Sequence, residues 1–358
     1  VWPSGEPLRF NATVYNRGRL PFQVGGITPM VGSEMTFDMH RTRVPVLPDS
    51  TWSQVFTAQG ADTTRPSWLA SPRIGSMFSP PVRGGAESER PSSAGARIEL
   101  AVDSTAFTVW APIVYRFADA SRGEVNKPVA FAPAITVRLD REMEYAPAGT
   151  PIDRQVRVHL TSAAATARVV EVTLRLPAGL LADSNTRRVT LPGPGAARTV
   201  SFQVRGRLAA GHHRIDAVAT SGGTFTQGYT LVEYAHIRTP RLYRPATLAM
   251  EAVEVQRPVA MQVAYIAGVG DNSAPMLEQL GIAVVMLQPE LIPRLDLSRF
   301  GAIVVGPRAY EAHPTLVANN ALLLEYARQG GTLVVQYGQY EMMQPGIMTY
   351  PVTINRPN

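Results

Sequence analysis

MQVAYIAGVGD (261–271), IAVVMLQ (282–288), GAIVVGPRAY (301–310) and TLVVQY (332–337) are short apolar runs rich in Val and Ile, each bounded by Gly, Pro or Asp. Fully buried parallel strands have this composition. Between the last two runs, Leu316, Val317, Leu322, Leu323 and Tyr326 recur at helical spacing from Pro314 onward, and Gly330-Gly331 supplies the stop. The stretch 261–338 therefore reads as strand, helix, strand, helix, strand, helix, strand. Links this short predict a doubly wound parallel sheet, whose ligand sites lie at the carboxyl ends of the strands.

The residues at those ends carry little of the chemistry that such sheets host. The chain has no cysteine, which removes Cys-nucleophile chemistry, and no Gly-x-Ser-x-Gly elbow. Gly268-Val269-Gly270 follows the first strand without a third glycine three residues on, so a tight β–α turn is the better reading than a dinucleotide fingerprint. Glu290 is poorly placed to hold a ribose. Arg308, Tyr310, Glu311 and His313 follow the third strand and read either as an anion or sugar subsite or as a polar loop capping the next helix.

At 358 residues the chain has room for two or three domains with real cores. Charged residues are only 17%, against 29 Gly and 30 Pro, which suits β-rich domains with many turns. Of 34 basic residues only Lys127 is a lysine, leaving a surface suited to bidentate carboxylate or phosphate contacts. The arginines are scattered and form no basic stripe with interleaved aromatics, so nucleic acid is not expected; docking to an acidic protein surface or anionic headgroups fits the charge equally well. No run of 18 apolar residues exists to span a membrane. The opening at Val1, without methionine and directly in strand-like sequence, suggests an upstream segment that was removed or is missing. Absence of cysteine is compatible with an oxidising periplasm.

Upstream of the parallel sheet two β modules are expected. Residues 1–133 open with LRFNATVYNRG (8–18), an alternating strand closed by a turn at Asn16-Arg17-Gly18, and MTFDMHRTRVPVL, TWSQVFTA, RIELAV and TAFTVWAPIVYRF supply further strands of an antiparallel sandwich. A Gly-, Ser- and Pro-rich loop insertion spans 57–97, with RPSWLASPRIGSMF embedded in it. Residues 134–236 carry ITVRLD, RQVRVHLTS, RVVEVTLRLPAG, RTVSFQVRG, HHRIDAVAT and FTQGYTLVEYA, with a turn signal about every dozen residues, the pattern of an immunoglobulin-like sandwich. His212 and His213 are adjacent on a strand and point to opposite faces, which does not suit chelation. His40, His159 and His236 stand alone and read as solvated or core-edge residues. Residues 237–260, with three prolines, read as an extended linker lying against a neighbour. The fold class is thus mainly β with a C-terminal α/β unit: two immunoglobulin-like β-sandwiches, then a truncated flavodoxin-like, class I amidotransferase-like sheet over 261–358.

The succession GEPLRFNATVYNRG, YRFADASRGEVNKPVAFAPAITV, EYAHIRTPRLYRPA and VGPRAYEAHPTLVANNALLLEYARQGGTLVVQYGQYE resembles the C-terminal, non-catalytic region of large bacterial PIG-L (LmbE-type) deacetylases. In that family a metal-dependent de-N-acetylase precedes sandwich domains and a glutamine-amidotransferase-like domain. The catalytic His-Pro-Asp-Asp signature has no counterpart here, the nearest string being His313-Pro314-Thr315, so no zinc or general-base residue is carried over. The resemblance implies several further elements after the fourth strand, where GQYEMMQPGIMTYPVTINRP stands, so a truncated amidotransferase-like domain is expected.

No catalytic residue, cofactor or metal is expected. The preferred expectation is a non-catalytic extracytoplasmic scaffold, periplasmic or extracellular, that docks on other protein subunits of a larger, membrane-peripheral assembly. A reaction-centre–antenna complex of a phototroph is one candidate host. Aromatic residues in polar loops, Trp2, Trp52, Trp68, Phe78 and Tyr340, with Arg308, Tyr310 and His313, are the candidate contacts, because Trp, Tyr and Arg dominate binding hot spots. The alternative is the glycan-presenting accessory part of a sugar deacetylase, with the same residues lining a carbohydrate groove.

Overall fold

The computed structural model describes residues 1–31, 43–60, 63–69, 71, 74–78, 94–234, 237, 239–258 and 260–354. The first part of MTFDMHRTRVPVL with His40, most of GGAESERPSSAGA, and His236 lie outside the described residues. The protein is mainly β, with several small sheets followed by a parallel sheet.

In the N-terminal region the strands are β1 (Trp2–Pro3), β2 (Leu8–Tyr15), β3 (Phe22–Val31), β4 (Val44–Val46), β5 (Thr51–Ala58), β6 (Ala94–Val102), β7 (Thr105–Pro112), β8 (Val114–Asp119), β9 (Gly123–Pro128) and β10 (Phe131–Ala132). β2 and β5 form an antiparallel ribbon that packs on the antiparallel sheet β4-β3-β6-β7. Alternation puts Ala12 and Phe56 of the ribbon against Val24, Ile27, Val46, Ala96 and Ile98 of the sheet. The turn at Asn16 is held from inside: its buried amide donates to the carbonyls of Leu20 (2.9 Å) and Val46 (2.8 Å), and its Oδ1 accepts from the Gly18 N–H at 2.9 Å. Among the described residues β8 and β9 pair only with each other, and β1 pairs in parallel with β10.

Two sheets then share one core. The strands of this region are β11 (Ile135–Leu139), β12 (Met143–Pro147), β13 (Ile152–Ser162), β14 (Arg168–Arg175), β15 (Leu180–Ala182), β16 (Thr186–Leu191), β17 (Ala197–Gly206), β18 (Gly211–Thr220), β19 (Thr224–Phe225), β20 (Gln227–Leu231), β21 (Arg241–Pro245) and β22 (Thr247–Val253), of which β20 and β21 form a separate two-stranded sheet. One sheet runs β11-β13-β17-β15 and the other β12-β22-β18-β14-β16, with β19 beside β18. Val156, Val158 and Leu160 of β13 and Phe202 and Val204 of β17 meet Val170, Val172, Ile215, Leu248 and Met250 from the facing sheet. The segment read as a linker is corrected here. Residues 241–245 close a hairpin with β20, and Leu248, Met250 and Ala252 alternate into the core from a strand held between β12 and β18. The β12–β22 pair is parallel and joins residues more than a hundred positions apart, a contact that local sequence pattern does not announce.

The C-terminal unit comprises β23 (Gln262–Ile266), α1 (Ser273–Gln279), β24 (Ala283–Met286), β25 (Ala302–Val305), α2 (Ala309–Ala312), α3 (Pro314–Arg328) and β26 (Thr332–Val335). All four strands are parallel in the order β24-β23-β25-β26. Val263 and Tyr265 face Ala274 and Leu277 of α1, while Ala264 and Ile266 face Ile292, Leu316 and Leu323, so both faces of the central strands are covered, whereas the edge strands β24 and β26, expected to be fully buried, leave Met286 and Val334 exposed. The second predicted helix is instead two short 3₁₀ turns, Pro289–Arg294 and Leu297–Arg299. Pro293 removes an amide donor that a longer helix would need.

Candidate functional site

The parallel order turns back between β23 and β25, and their carboxyl ends lie side by side there, the position at which open α/β sheets bind ligands. Two loops meet at that point. The Val269 N–H donates to the Pro307 carbonyl at 2.9 Å, and Gly306 N–H reaches Ile266 O at 2.9 Å. A Cβ on Gly268 would stand 2.0 Å from the Pro307 carbonyl oxygen, so only glycine allows this approach. Gly270 serves differently: its φ of +63° is left-handed and its surroundings are open.

Asp271 follows and is enclosed by donors. Its carboxylate accepts from the Tyr265 hydroxyl and from the Ser273 N–H at 2.7 Å. Burial acts to raise its pKa, but the hydrogen bonds from Tyr265, Ser273 and the Gly268 N–H outweigh this and hold it below the usual carboxylate range. Tyr265, buried on the sheet, is pushed up to about 12 by that burial and by donating to Asp271; Gln336 Oε1 lies 3.1 Å from its hydroxyl. Gln336 in turn donates to Ser273 Oγ at 3.2 Å. The shallow cleft beside this network is bordered by Ala267, Gly268, Asp271, Glu278 and Met286. The network thus holds an ionised carboxylate and a neutral phenol, and neither of them titrates near neutral pH.

The residues after β25 divide. Arg308 occupies the left-handed region at φ 56° and grips Glu311 with two nitrogens, Nε to Oε2 at 2.8 Å and Nη2 to Oε1. Its N–H donates to the Tyr337 carbonyl at 2.7 Å, which ties this loop to the one after β26. The hydrogen bond from Arg308, with its charge, holds Glu311 below its usual range. His313 turns its ring to the Ala267 carbonyl, Nε2 to O at 3.0 Å, bridging the loops after β23 and β25 rather than capping α3. Tyr310 is 4% exposed, with its hydroxyl 2.7 Å from Asn320 Oδ1, so it belongs to the interior and offers no surface contact. The expected polar loop is a turn of helix, which rotates Tyr310 inward. Tyr340 opens a 3₁₀ turn and is exposed.

In the N-terminal region Trp68 and Phe78 come together as a T-shaped pair with ring centres 5.0 Å apart, both partly exposed. Trp2 and Trp52 pack instead against small cores. His159 bonds Thr199, His212 pairs with Glu251, and His213 bonds the Ala209 carbonyl, so the adjacent histidines have separate partners. Among the described residues no group of three or more His, Asp or Glu is placed to hold a metal ion, and no helix is long and apolar enough to cross a membrane.

Two surfaces escaped the sequence reading. On the ribbon β8–β9, Tyr115 and Phe117 stack at 5.6 Å with 25° between planes, and the Lys127 ammonium lies 5.9 Å from the Phe117 ring centre. On β7, Phe107, Val109 and Trp110 are exposed. The available signal was TAFTVWAP, eight residues without a charge that read simply as another core strand. A scan of protein-family models finds no match to this chain, and a search of curated proteins finds no relative.

Proposed function

We propose that this chain is a non-catalytic, extracytoplasmic interaction subunit that docks on other proteins of a larger, membrane-peripheral assembly. The observation that carries the reading is the ribbon β8–β9. Its strands hydrogen-bond only to each other among the described residues, and an isolated hairpin is marginally stable in water. Yet it presents Tyr115, 65% exposed, stacked on Phe117 with Lys127 alongside. Aromatic and cationic side chains gathered on one projecting face are what partner recognition uses. Trp68 and Phe78 supply a second aromatic contact. At the strand ends Arg308, His313 and Asp271 each bond within the fold, so the reading rests on the aromatic surfaces rather than on that network.

Two sheets on one core suit an immunoglobulin-like sandwich, and the parallel order in which the first strand lies between the second and third suits a flavodoxin-like, amidotransferase-like unit. Both fit the accessory region of PIG-L-type deacetylases. A second reading, glycan presentation to a deacetylase domain, is favoured by the flat Tyr115–Phe117 stack, which offers an open platform to a sugar ring.

Native purification followed by intact-mass spectrometry tests the proposal. Stoichiometric protein companions are expected, and Tyr115→Ala with Phe117→Ala, or Trp68→Ala, should each weaken their retention by about 2 kcal/mol, some 30-fold, without unfolding the chain. A free, longer polypeptide with deacetylase activity would overturn the scaffold reading in favour of the glycan one.

A further inference from the structure

We propose that β7 is a self-association edge, through which two copies of this chain pair antiparallel about a two-fold axis at Thr108. The proposal stands apart from anything the ribbon β8–β9 binds, since it rests on a different strand and on backbone groups.

β7 closes one side of the sheet β4-β3-β6-β7 and has no strand beyond it among the described residues. Its pairing with β6 is regular from Thr105 to Pro112, without a bulge. Ile113 continues that register with its N–H on the Ala94 carbonyl at 3.0 Å, so odd-numbered residues turn their backbone groups toward β6. Ala106, Thr108 and Trp110 therefore direct N–H and C=O away from the sheet, at the free edge.

Proteins guard such edges with charge, proline, bulges or shortness. The opposite edge of this sheet, β4, has three residues including Pro45, and β16, an edge of the six-stranded sheet, carries Arg187 and Arg188. β7 has none of these devices before Pro112. Its side chains are also uncovered on both faces. Phe107 and Val109 lie on the core side, opposite Leu100 and Ile98, yet remain 45% and 41% exposed because the two-stranded ribbon β2–β5 does not reach across four strands. Trp110 lies on the other face, over Gly95, where a Cβ would come within 2.4 Å of its ring.

A second copy fits this edge because the strand is complementary to itself. An antiparallel pairing centred on Thr108 keeps each face with its like. It makes Thr108–Thr108 and Ala106–Trp110 the hydrogen-bonded pairs, so that the outward backbone groups of all three residues find partners. Phe107 then lies opposite Val109 twice, as non-hydrogen-bonded pairs where side chains approach most closely. No charge opposes a like charge, and the two four-stranded sheets become one.

Sedimentation of the full chain across a concentration series should show twice the protomer mass at the upper end. Thr108→Pro deletes the outward N–H alone and should abolish the dimer. Thr108→Lys, which sets like charges across the axis, should weaken it by about tenfold or more and covers the case in which the proline variant misfolds. The chain lacks cysteine, so single cysteines report cleanly: Thr108→Cys should give a disulfide-linked dimer under mild oxidation, and Ala106→Cys, whose copies lie too far apart, should not. A monomeric mass throughout with no Thr108→Cys dimer would overturn the proposal. So would equal cross-linking at both positions, or undiminished dimerisation of folded Thr108→Lys.

Discussion

At Gly268 one hydrogen atom sets the distance between two loops. The Cβ that alanine would add there meets the Pro307 carbonyl oxygen at 2.0 Å and its nitrogen at 2.6 Å, both backbone atoms that cannot rotate aside. Gly268→Ala should therefore cost about 2 kcal/mol or more through strand displacement, whereas Gly270→Ala, strained only by its left-handed φ, should cost about 1. Urea midpoints of the two variants check this, and equal losses would refute the distinction. Three residues away Tyr265 makes a pH prediction. An unfolded tyrosine titrates near 10, and burial with the Asp271 hydrogen bond holds the folded one at about 12. An acid whose folded value is raised contributes fully below the unfolded value and loses that contribution as pH climbs through the folded one. Stability should thus fall between pH 10 and 12, with Tyr243 and Tyr310, also raised to about 12, adding to the fall. Tyr265→Phe should flatten part of that slope in unfolding free energies taken across the interval; an unaltered slope would mean the phenol does not report folding.

Among the elements, α3 shows what buried polarity adds to an apolar pattern. Leu316, Leu323 and Tyr326 seat the helix, as their spacing in the sequence predicts. Asn320, 1% exposed on the same side, fastens a distant segment: its amide donates to the carbonyls of Gly346 (2.6 Å) and Ile347 (2.9 Å) while Oδ1 accepts from Tyr310. Asn320→Ala leaves these groups unpaired and should cost roughly 3 kcal/mol while exposing the turn around Ile347 to protease. Unchanged proteolysis and stability would show the segment to be held by Ile347 packing alone. The four parallel strands and α3 were legible because short Val- and Ile-rich runs between Gly and Pro have few other uses. The 3₁₀ turns at Pro289–Arg294 were hidden in a pattern whose apolar content suits a helix, and Pro293 decides against it. β22 was hidden by its proline-flanked neighbourhood and by a partner strand far away in sequence. At the candidate site the Gly268–Gly270 turn was legible, but Asp271 was not, since an aspartate after a turn shows its donors only once Tyr265 and Gln336 are folded against it.

Across the molecule, Gln279 of α1 joins the parallel sheet to the two-sheet region. Gln279 accepts the Tyr145 N–H on Oε1 at 2.8 Å and the Arg154 guanidinium on its main-chain oxygen at 2.7 Å. Behind them Glu144, 2% exposed, bonds Arg141 at 2.6 Å and sets its other carboxylate oxygen 3.9 Å from Arg154 Nε. Each unit keeps its own apolar core, so the joint contributes coupling rather than integrity. The wild-type chain should accordingly melt residues 134–354 in one calorimetric transition. Arg154→Ala combined with Gln279→Ala removes both hydrogen bonds at the joint and leaves the Tyr145 N–H unpaired. The loss should be about 2 kcal/mol, and the transition should resolve into two, with the parallel sheet melting first because its strands are only four or five residues long. Each single variant should shift the midpoint less than half as far as the pair, since the residue left behind still couples the units. A double variant that melts in one step at the wild-type temperature would show that this polar joint does not carry the coupling between the two units.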